Sequence, residues 1–209
     1  LFAALVLLLT AVAPATPAAA QCEPQWQAGD PVVNPVGIVN TTRVWDPDGA
    51  GPLPSVLVAG GNFTVGTMAA TRIATFDGTQ WAPLGTPPAG MVTALTIWNN
   101  QLVAAIGDNP GAQVVVTWNG STWQSLGSVG GNALRPILAM TGFQGALVVA
   151  GLFTSIGGVA ANNIASWNGT SWSPLGAGVT GEVRALALFS NVLYVGGSFS
   201  FVGPITGAG

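Results

Sequence analysis

Over most of its length the chain alternates between short apolar runs and short polar or glycine-containing segments. Within 134–175 the apolar runs are Leu134–Met140, Ala146–Phe153, Asn163–Trp167 and Trp172–Leu175. Runs of this length that are rich in Val, Ile, Leu and aromatic residues, and that are bounded by Gly, Asn, Pro and Ser, are typical of β-strands. A helix would need a continuous periodic stretch of about 10–12 residues. The pattern therefore predicts four strands in this part of the chain.

One six-residue motif occurs three times, and each copy begins with an aromatic residue and ends with tryptophan. It reads FDGTQW at 76–81, WNGSTW at 118–123 and WNGTSW at 167–172. A Leu-Gly pair follows each copy, at Leu84-Gly85, Leu126-Gly127 and Leu175-Gly176. The closing tryptophans lie 42 and 49 residues apart. Because such a rare residue returns in phase, the motif indicates an internal repeat.

A second landmark follows the same period in a different part of each unit. Apolar segments begin at Leu57, Leu102, Leu147 and Leu193, which lie 45, 45 and 46 residues apart. Two independent landmarks that share one period predict a repeating unit of four short strands.

The six-residue motif also predicts a hairpin between the third and fourth strands of each unit. Asn-Gly and Asp-Gly accept the positive φ angles of tight turns, so the hairpins should close at Gly78, Gly120 and Gly169. A four-residue loop would pair Trp167 with Trp172, and a two-residue loop would pair Trp167 with Thr170. Either register places both aromatic side chains on one face of the sheet. We therefore expect a structural core formed by Trp81, Trp118, Trp123, Trp167 and Trp172.

A four-stranded sheet cannot cover its own apolar face, whereas sheets stacked around an axis can. The sequence thus predicts an all-β fold, a β-propeller of four-stranded antiparallel blades. The expected blades are 39–85, with an insertion at Asp46–Pro54, then 92–127, 134–176 and an incomplete 183–209, with a lone outer strand at 21–30. The chain would contain about three and a half to four blades. We expect these blades to be a fragment of a longer ring, and a four-bladed ring is the alternative. The incomplete last unit would leave an exposed strand edge that favours poor solubility or self-association.

The first twenty residues follow a different pattern. An apolar run over Leu1–Leu9 precedes an Ala-rich segment that ends at Ala20, which is typical of a secretory signal peptide. The run is about half of the ~20 residues that a membrane span needs, so we expect export and no membrane span after cleavage, with a membrane anchor as the alternative. The single cysteine, Cys22, has no partner within the chain, and lipid attachment there is a weaker alternative.

Composition excludes several kinds of chemistry. The chain has no His and no Lys, seven acidic residues, four Arg and a net charge of −3. Without His there is no Ser-His-Asp or Cys-His machinery and no His-ligated metal. Without Lys there is no phosphate-binding P-loop or Schiff base. Four arginines give no electrostatic footprint for nucleic acid.

The units resemble kelch-type, galactose-oxidase-like propeller repeats, because a Gly-Gly pair ends the second strand, an aromatic residue lies in the third and a Trp opens the fourth. More closely, the stretch from Asn162 to Gly176 is similar to repeats of exported bacterial proteins of unassigned activity. The opening Cys22–Trp26 and the insertion Trp45–Gly49 are similar to that group too. The resemblance implies a propeller over about 22–202 and no particular ligand.

Candidate binding residues are few. Arg135 and Arg184 are predicted to occupy equivalent positions in first strands, which line the central channel of a propeller, where two guanidinium groups would hold an anion. Solvated strand ends are the alternative. Trp45 and Trp98 end first strands at matching positions, which favours packing over sugar stacking. The sequence predicts no catalytic residue, metal site or cofactor.

Three function hypotheses follow from these observations. The first is a secreted, non-catalytic β-propeller that acts as a binding or scaffold module for an unknown protein or glycan, with the binding face built from loops between blades. The second is the propeller part of a secreted enzyme, a polysaccharide-acting hydrolase or an oxidase, whose catalytic residues lie outside this segment. The third is a structural component of the cell surface.

Overall fold

The computed structural model describes residues 35–66, 72–107, 113–131 and 137–202. Every regular element in these ranges is a β-strand, and all strand pairs are antiparallel, which confirms the predicted all-β class. The predicted signal peptide at 1–20, the predicted strand at 21–30, Cys22 and Arg135 lie outside the described residues.

The first two sheets each begin with four strands in simple up-and-down order. The first sheet consists of β1 (Pro35–Trp45), β2 (Val56–Val65), β3 (Ile73–Phe76) and β4 (Trp81–Pro83). The second sheet begins with β5 (Met91–Trp98), β6 (Gln101–Gly107), β7 (Gln113–Trp118) and β8 (Trp123–Gly130). The predicted insertion is present, since residues 46–55 separate β1 from β2.

The third sheet contains β9 (Ile137–Phe143), β10 (Ala146–Gly151), β13 (Ile164–Trp167) and β14 (Trp172–Pro174). Between β10 and β13 the chain forms a small hairpin of β11 (Ser155–Ile156) and β12 (Val159–Ala160). The sequence did not predict this hairpin, and β11 pairs with β8, so the second sheet has six strands. The fourth sheet has two strands among the described residues, β15 (Val179–Phe189) and β16 (Val192–Val202).

The four sheets stack face to face in chain order, with an apolar layer between each pair. The first layer includes Trp45, Val58, Leu95 and Ile106. The second layer includes Trp98, Val103, Met140 and Trp172. The third layer includes Phe143, Val148, Val179 and Val183. The two middle sheets are covered on both faces, so every residue of β10 is buried. Continuous apolar runs are expected in strands that are buried on both faces. The first strands are neighbours, because β1 lies beside β5, β5 beside β9 and β9 beside β15.

The three aromatic hairpins share one geometry. Phe76 pairs with Trp81, Trp118 with Trp123 and Trp167 with Trp172, and the ring centroids lie 5.1, 5.3 and 5.3 Å apart. The loops therefore have four residues, and the two-residue alternative is wrong. Both aromatic rings of each hairpin lie on one face, as the sequence predicted. The turn glycines Gly78, Gly120 and Gly169 have φ angles of 100°, 98° and 106°, which favour residues without a side chain.

The residue that opens each turn holds it with its side chain. In the first hairpin Asp77 Oδ1 accepts hydrogen bonds from the backbone N–H groups of Thr79 and Gln80, at 2.7 and 2.8 Å. Asn119 and Asn168 make the same pair of bonds in the other two hairpins. The structure thus gives Asp77 the role of a turn residue, as its position in the motif predicted.

Replacing Asp77 by Asn is expected to make the free energy of unfolding less dependent on pH under acidic conditions. Hydrogen bonds from the backbone of Gln80 and from the hydroxyl and backbone of Thr79 lower the pKa of Asp77 from 3.8 to about 2. Because the folded pKa lies below the unfolded one, the carboxylate stabilises the fold fully above about pH 4, and this contribution is lost as the pH falls through 2. The amide of Asn does not titrate and keeps the acceptor oxygen.

Urea unfolding of both proteins at pH 7, 4 and 2 measures this effect. The wild type should lose more stability than Asp77→Asn between the two lower pH values. Equal slopes for the two proteins over that range would show that the turn carboxylate is not linked to folding.

Candidate functional site: two polar clefts

The first strand of each sheet contains one extra residue, a β-bulge. The strand register shifts at Asn40 in β1, at Thr93 in β5, at Leu138 in β9 and at Arg184 in β15. A bulge bends its strand and redirects a side chain. All four bulge residues line one cavity of about 240 Å³, where the first strands approach one another. We call this cavity the inner cleft.

Two of the bulge side chains link neighbouring sheets. Asn40 Nδ2 donates to the carbonyl oxygen of Val92 at 2.8 Å, and Thr93 Oγ1 donates to that of Ile137 at 2.7 Å. Each acceptor is the residue just before the next bulge. Leu138 has no polar group to continue the series. The polar bulge residues therefore fix the spacing of the first three sheets around the inner cleft.

The inner cleft carries positive charge. Arg43 and Arg184, two of the four arginines of the chain, both line it. Arg184 forms an ion pair with Glu182, with 2.7 Å between Nη2 and Oε2, and its side chain is 64% exposed. Arg43 Nη1 donates to the Thr42 carbonyl at 2.7 Å. Among the described residues, Arg43 has no carboxylate partner.

The predicted equivalence of Arg135 and Arg184 stays a prediction, because Arg135 lies outside the described residues. Among those residues, Leu138 of the third sheet corresponds to Arg184, because both are the extra residue of a first strand. Sequence reasoning missed Arg43, and the available signal was its place in a first strand beside the polar run at 40–42.

A larger cavity of about 580 Å³ lies between the first and second sheets, at the turn between β5 and β6. We call it the outer cleft. Its lining consists of Trp45, Pro47, Val56, Thr75, Leu84, Asn99, Asn100, Gln101, Trp118, Asn119 and Gly120. The lining includes four amide side chains and no charged residue, and the volume falls in the range of small-molecule sites.

The insertion at 46–55 explains why this cleft exists. The matching connections in the other sheets are two-residue turns, at Asn99–Asn100, Gln144–Gly145 and Ser190–Asn191. In the next interface Trp98 fills the space, since a Cβ on Gly169 would lie 3.7 Å from its ring. At the matching Gly120, no atom of the described ranges lies within 4 Å of such a Cβ. The insertion is ordered by Asp48, whose Oδ2 accepts from the Leu53 N–H at 3.1 Å.

The tryptophans of the outer cleft expose little surface. Trp45 and Trp118 are only 5% and 8% exposed, and Trp45 Nε1 donates to the Asn100 carbonyl at 3.1 Å. Next to them, the Oδ1 atom of Asp46 is buried without a hydrogen-bond partner among the described residues. An unpaired buried acceptor is costly and calls for a donor. Asp46 does not line the outer cleft, so the polar groups of the cleft are its side-chain amides.

The predicted tryptophan core is partly buried in layers and partly at their margins. Trp118 and Trp172 are buried, whereas Trp81, Trp123 and Trp167 are half-buried against the apolar clusters. Two indole N–H groups of this predicted set donate to a neighbouring sheet. Trp123 Nε1 donates to Leu84 O at 2.9 Å, and Trp172 Nε1 donates to Leu126 O at 2.7 Å.

These bonds explain the Leu-Gly pairs. The leucine supplies the carbonyl, and the glycine leaves room for a ring, because a Cβ on Gly85 would lie 2.5 Å from Trp118 and one on Gly127 would lie 2.8 Å from Trp172 Nε1.

Within the described ranges, no group of three or more His, Cys, Asp or Glu side chains is placed to hold a metal ion. In the same part of the chain, no helix has the length and apolar character to cross a membrane. Comparison with known proteins found no matching family model, no matching curated protein and no matching solved structure.

Proposed function

We propose that this chain is a secreted, non-catalytic binding or scaffold module whose sheets are arranged as a β-propeller of the kelch-like, galactose-oxidase-like type. The order of the sheets supports this arrangement, because they follow the chain and keep their first strands adjacent. The signal-like pattern of residues 1–20 supports export.

We further propose that the outer cleft binds an uncharged, hydroxyl-rich ligand such as a glycan. The observation that carries this proposal is the insertion at 46–55, which opens a polar cleft where the next interface is filled by Trp98. In stacked-sheet proteins, insertions that break the regular pattern often form the binding face.

The chemistry of the cleft suits hydroxyl groups. A sugar hydroxyl both donates and accepts, and the side-chain amides of Asn99 and Gln101 offer both partners. The buried indole rings of Trp45 and Trp118 leave little surface for stacking, so hydrogen bonds would determine specificity.

Replacing Gln101 by Ala tests this function, because Gln101 lines the outer cleft. Titration calorimetry with a panel of neutral di- to tetrasaccharides should detect a ligand of the wild type, and Gln101→Ala should weaken its binding by about threefold or more, since a hydrogen bond between neutral groups contributes ~0.5–1.5 kcal/mol. Urea unfolding of the variant checks that it remains folded.

Gln124→Ala is the matched control, because it removes a side-chain amide that does not line the outer cleft. It should leave binding unchanged. Glycan binding that is equal in the wild type and Gln101→Ala, or no binding of any neutral oligosaccharide by the folded protein, would exclude the outer cleft as a glycan site.

A further inference from the structure

We infer that the inner cleft is a second binding site, which takes a single oxyanion group: a carboxylate, a sulfate or a phosphate. The site is separate from the outer cleft, since the two cavities share no lining residue. The inference goes beyond the proposed glycan binding and does not depend on it.

The backbone places four bulge residues around this cavity, and three of them, Asn40, Thr93 and Arg184, are polar. One bulge residue from each of the four sheets lines it, although the four strands come from distant parts of the chain. The carbonyls of Val92 and Ile137 already accept from Asn40 and Thr93. Each of these two carbonyl oxygens therefore already has a hydrogen-bond donor. The donors reduce the electrostatic repulsion between the carbonyl oxygens and a bound anion.

The charge of the cavity favours an anion. Two arginines, Arg43 and Arg184, line a space of about 240 Å³ in a chain whose net charge is −3. The planar fork of a guanidinium group matches two oxygens of a carboxylate, sulfate or phosphate. Among the described residues, Arg43 bonds only to the neighbouring Thr42 carbonyl, which leaves its other N–H groups available.

Glu182 acts as a competing internal anion. Its Oε2 accepts from both Nε and Nη2 of Arg184, at 3.0 and 2.7 Å. A bound oxyanion would compete with this carboxylate for Arg184 and would also be repelled by it. Removing the carboxylate should therefore raise the affinity for anions, which is opposite to the effect of removing an arginine.

The size of the cavity limits the ligand. At about 30 Å³ for each water molecule of the liquid, the inner cleft has room for roughly eight waters. This space fits one oxyanion group or a small dicarboxylate. A charged polymer would insert only one acidic group.

The test is a titration of the full chain with inorganic sulfate, phosphate and malonate at low ionic strength, followed by ¹H–¹⁵N chemical shifts of Thr93, Ala94 and Arg184. Saturable shifts are expected at these positions. Arg43→Gln should raise the dissociation constant by about fivefold or more, and Glu182→Gln should lower it by about threefold or more, as expected when charged hydrogen bonds are lost or a competing charge is removed. Comparison of the three anions distinguishes carboxylate from tetrahedral oxyanion ligands.

Asp77→Asn changes the net charge by the same amount as Glu182→Gln but lies outside the inner cleft. It should leave the dissociation constant for anions unchanged. An equal gain in anion affinity in both variants would show that the effect comes from the net charge of the protein and not from the inner cleft. Absence of saturable shifts, or an affinity that is unaffected by Arg43→Gln, would overturn the inference. Gln101→Ala should not alter anion binding, so failure of the glycan proposal is distinguishable from failure of this one.

Discussion

Replacing Trp172 by alanine is expected to lower the free energy of unfolding by about 3–5 kcal/mol, the usual cost of removing a large buried aromatic side chain. Trp172 is 6% exposed and lies in the layer between the second and third sheets. Two glycines surround its ring, because a Cβ on Gly127 or on Gly157 would press against the indole. The loss would leave a cavity that neither backbone can readily fill. Urea unfolding followed by circular dichroism measures the change.

Two further variants separate the contributions of the ring and the N–H group. Trp172→Phe keeps most of the apolar volume but removes the donor to Leu126 O, so it should cost about 1–2 kcal/mol. Trp81→Ala should cost less than Trp172→Ala, because Trp81 is half-buried and its indole N–H has no partner among the described residues. Equal costs for Trp81→Ala and Trp172→Ala would show that the interface between the second and third sheets does not depend on Trp172.

Two adjacent glycines of β16 should respond very differently to substitution by alanine. A Cβ on Gly197 would overlap the backbone carbonyl oxygen of Glu182 and would lie 3.0 Å from the backbone N of Arg184. Because backbone atoms cannot move aside as a side chain can, we expect Gly197→Ala to cost at least about 2 kcal/mol. A Cβ on Gly196 would lie 3.8 Å from its nearest neighbour, Ala185. Gly196→Ala should be neutral or slightly stabilising, since it reduces the freedom of the unfolded chain.

Thermal unfolding of the two variants, side by side with the wild type, measures this difference. The clash arises at the bulge that places Arg184, so Gly197→Ala should also weaken anion binding at the inner cleft. Similar stabilities of the two variants would mean that the bulge adapts at little cost and does not require glycine opposite it.

The sequence predicted the strands, but it did not distinguish between two possible hairpin registers. Both registers place the same side chains on the same face of the sheet. The aromatic residues of the six-residue motif fall on one face with either a two-residue or a four-residue loop, so the hydrophobic pattern alone did not separate them. The side chains of Asp77, Asn119 and Asn168 decide the matter, because one oxygen accepts from the N–H groups two and three residues later. That bonding requires the longer loop.

The features that form the two clefts were harder to predict. A bulge shifts the inside–outside alternation by one position, and in strands that are buried on both faces this shift leaves little trace in the pattern. The insertion at 46–55 was visible in the sequence, but the cleft beside it depends on whether Trp45 reaches Gly120 as Trp98 reaches Gly169. That spacing is a tertiary property. The strands β11 and β12 have two residues each, which is too short to show a period.

The short hairpin of β11 and β12 affects the order in which parts of the molecule unfold. It belongs to the chain segment of the third sheet but is hydrogen-bonded to β8 of the second, and its turn at Gly157 lies over Trp172. The second and third sheets are thus joined by several backbone hydrogen bonds as well as by side-chain packing, whereas the fourth sheet is joined to the third by one backbone bond, from the Val179 N–H to the Asn162 carbonyl at 2.9 Å. Local unfolding should therefore begin in the first and fourth sheets and reach the second and third sheets last.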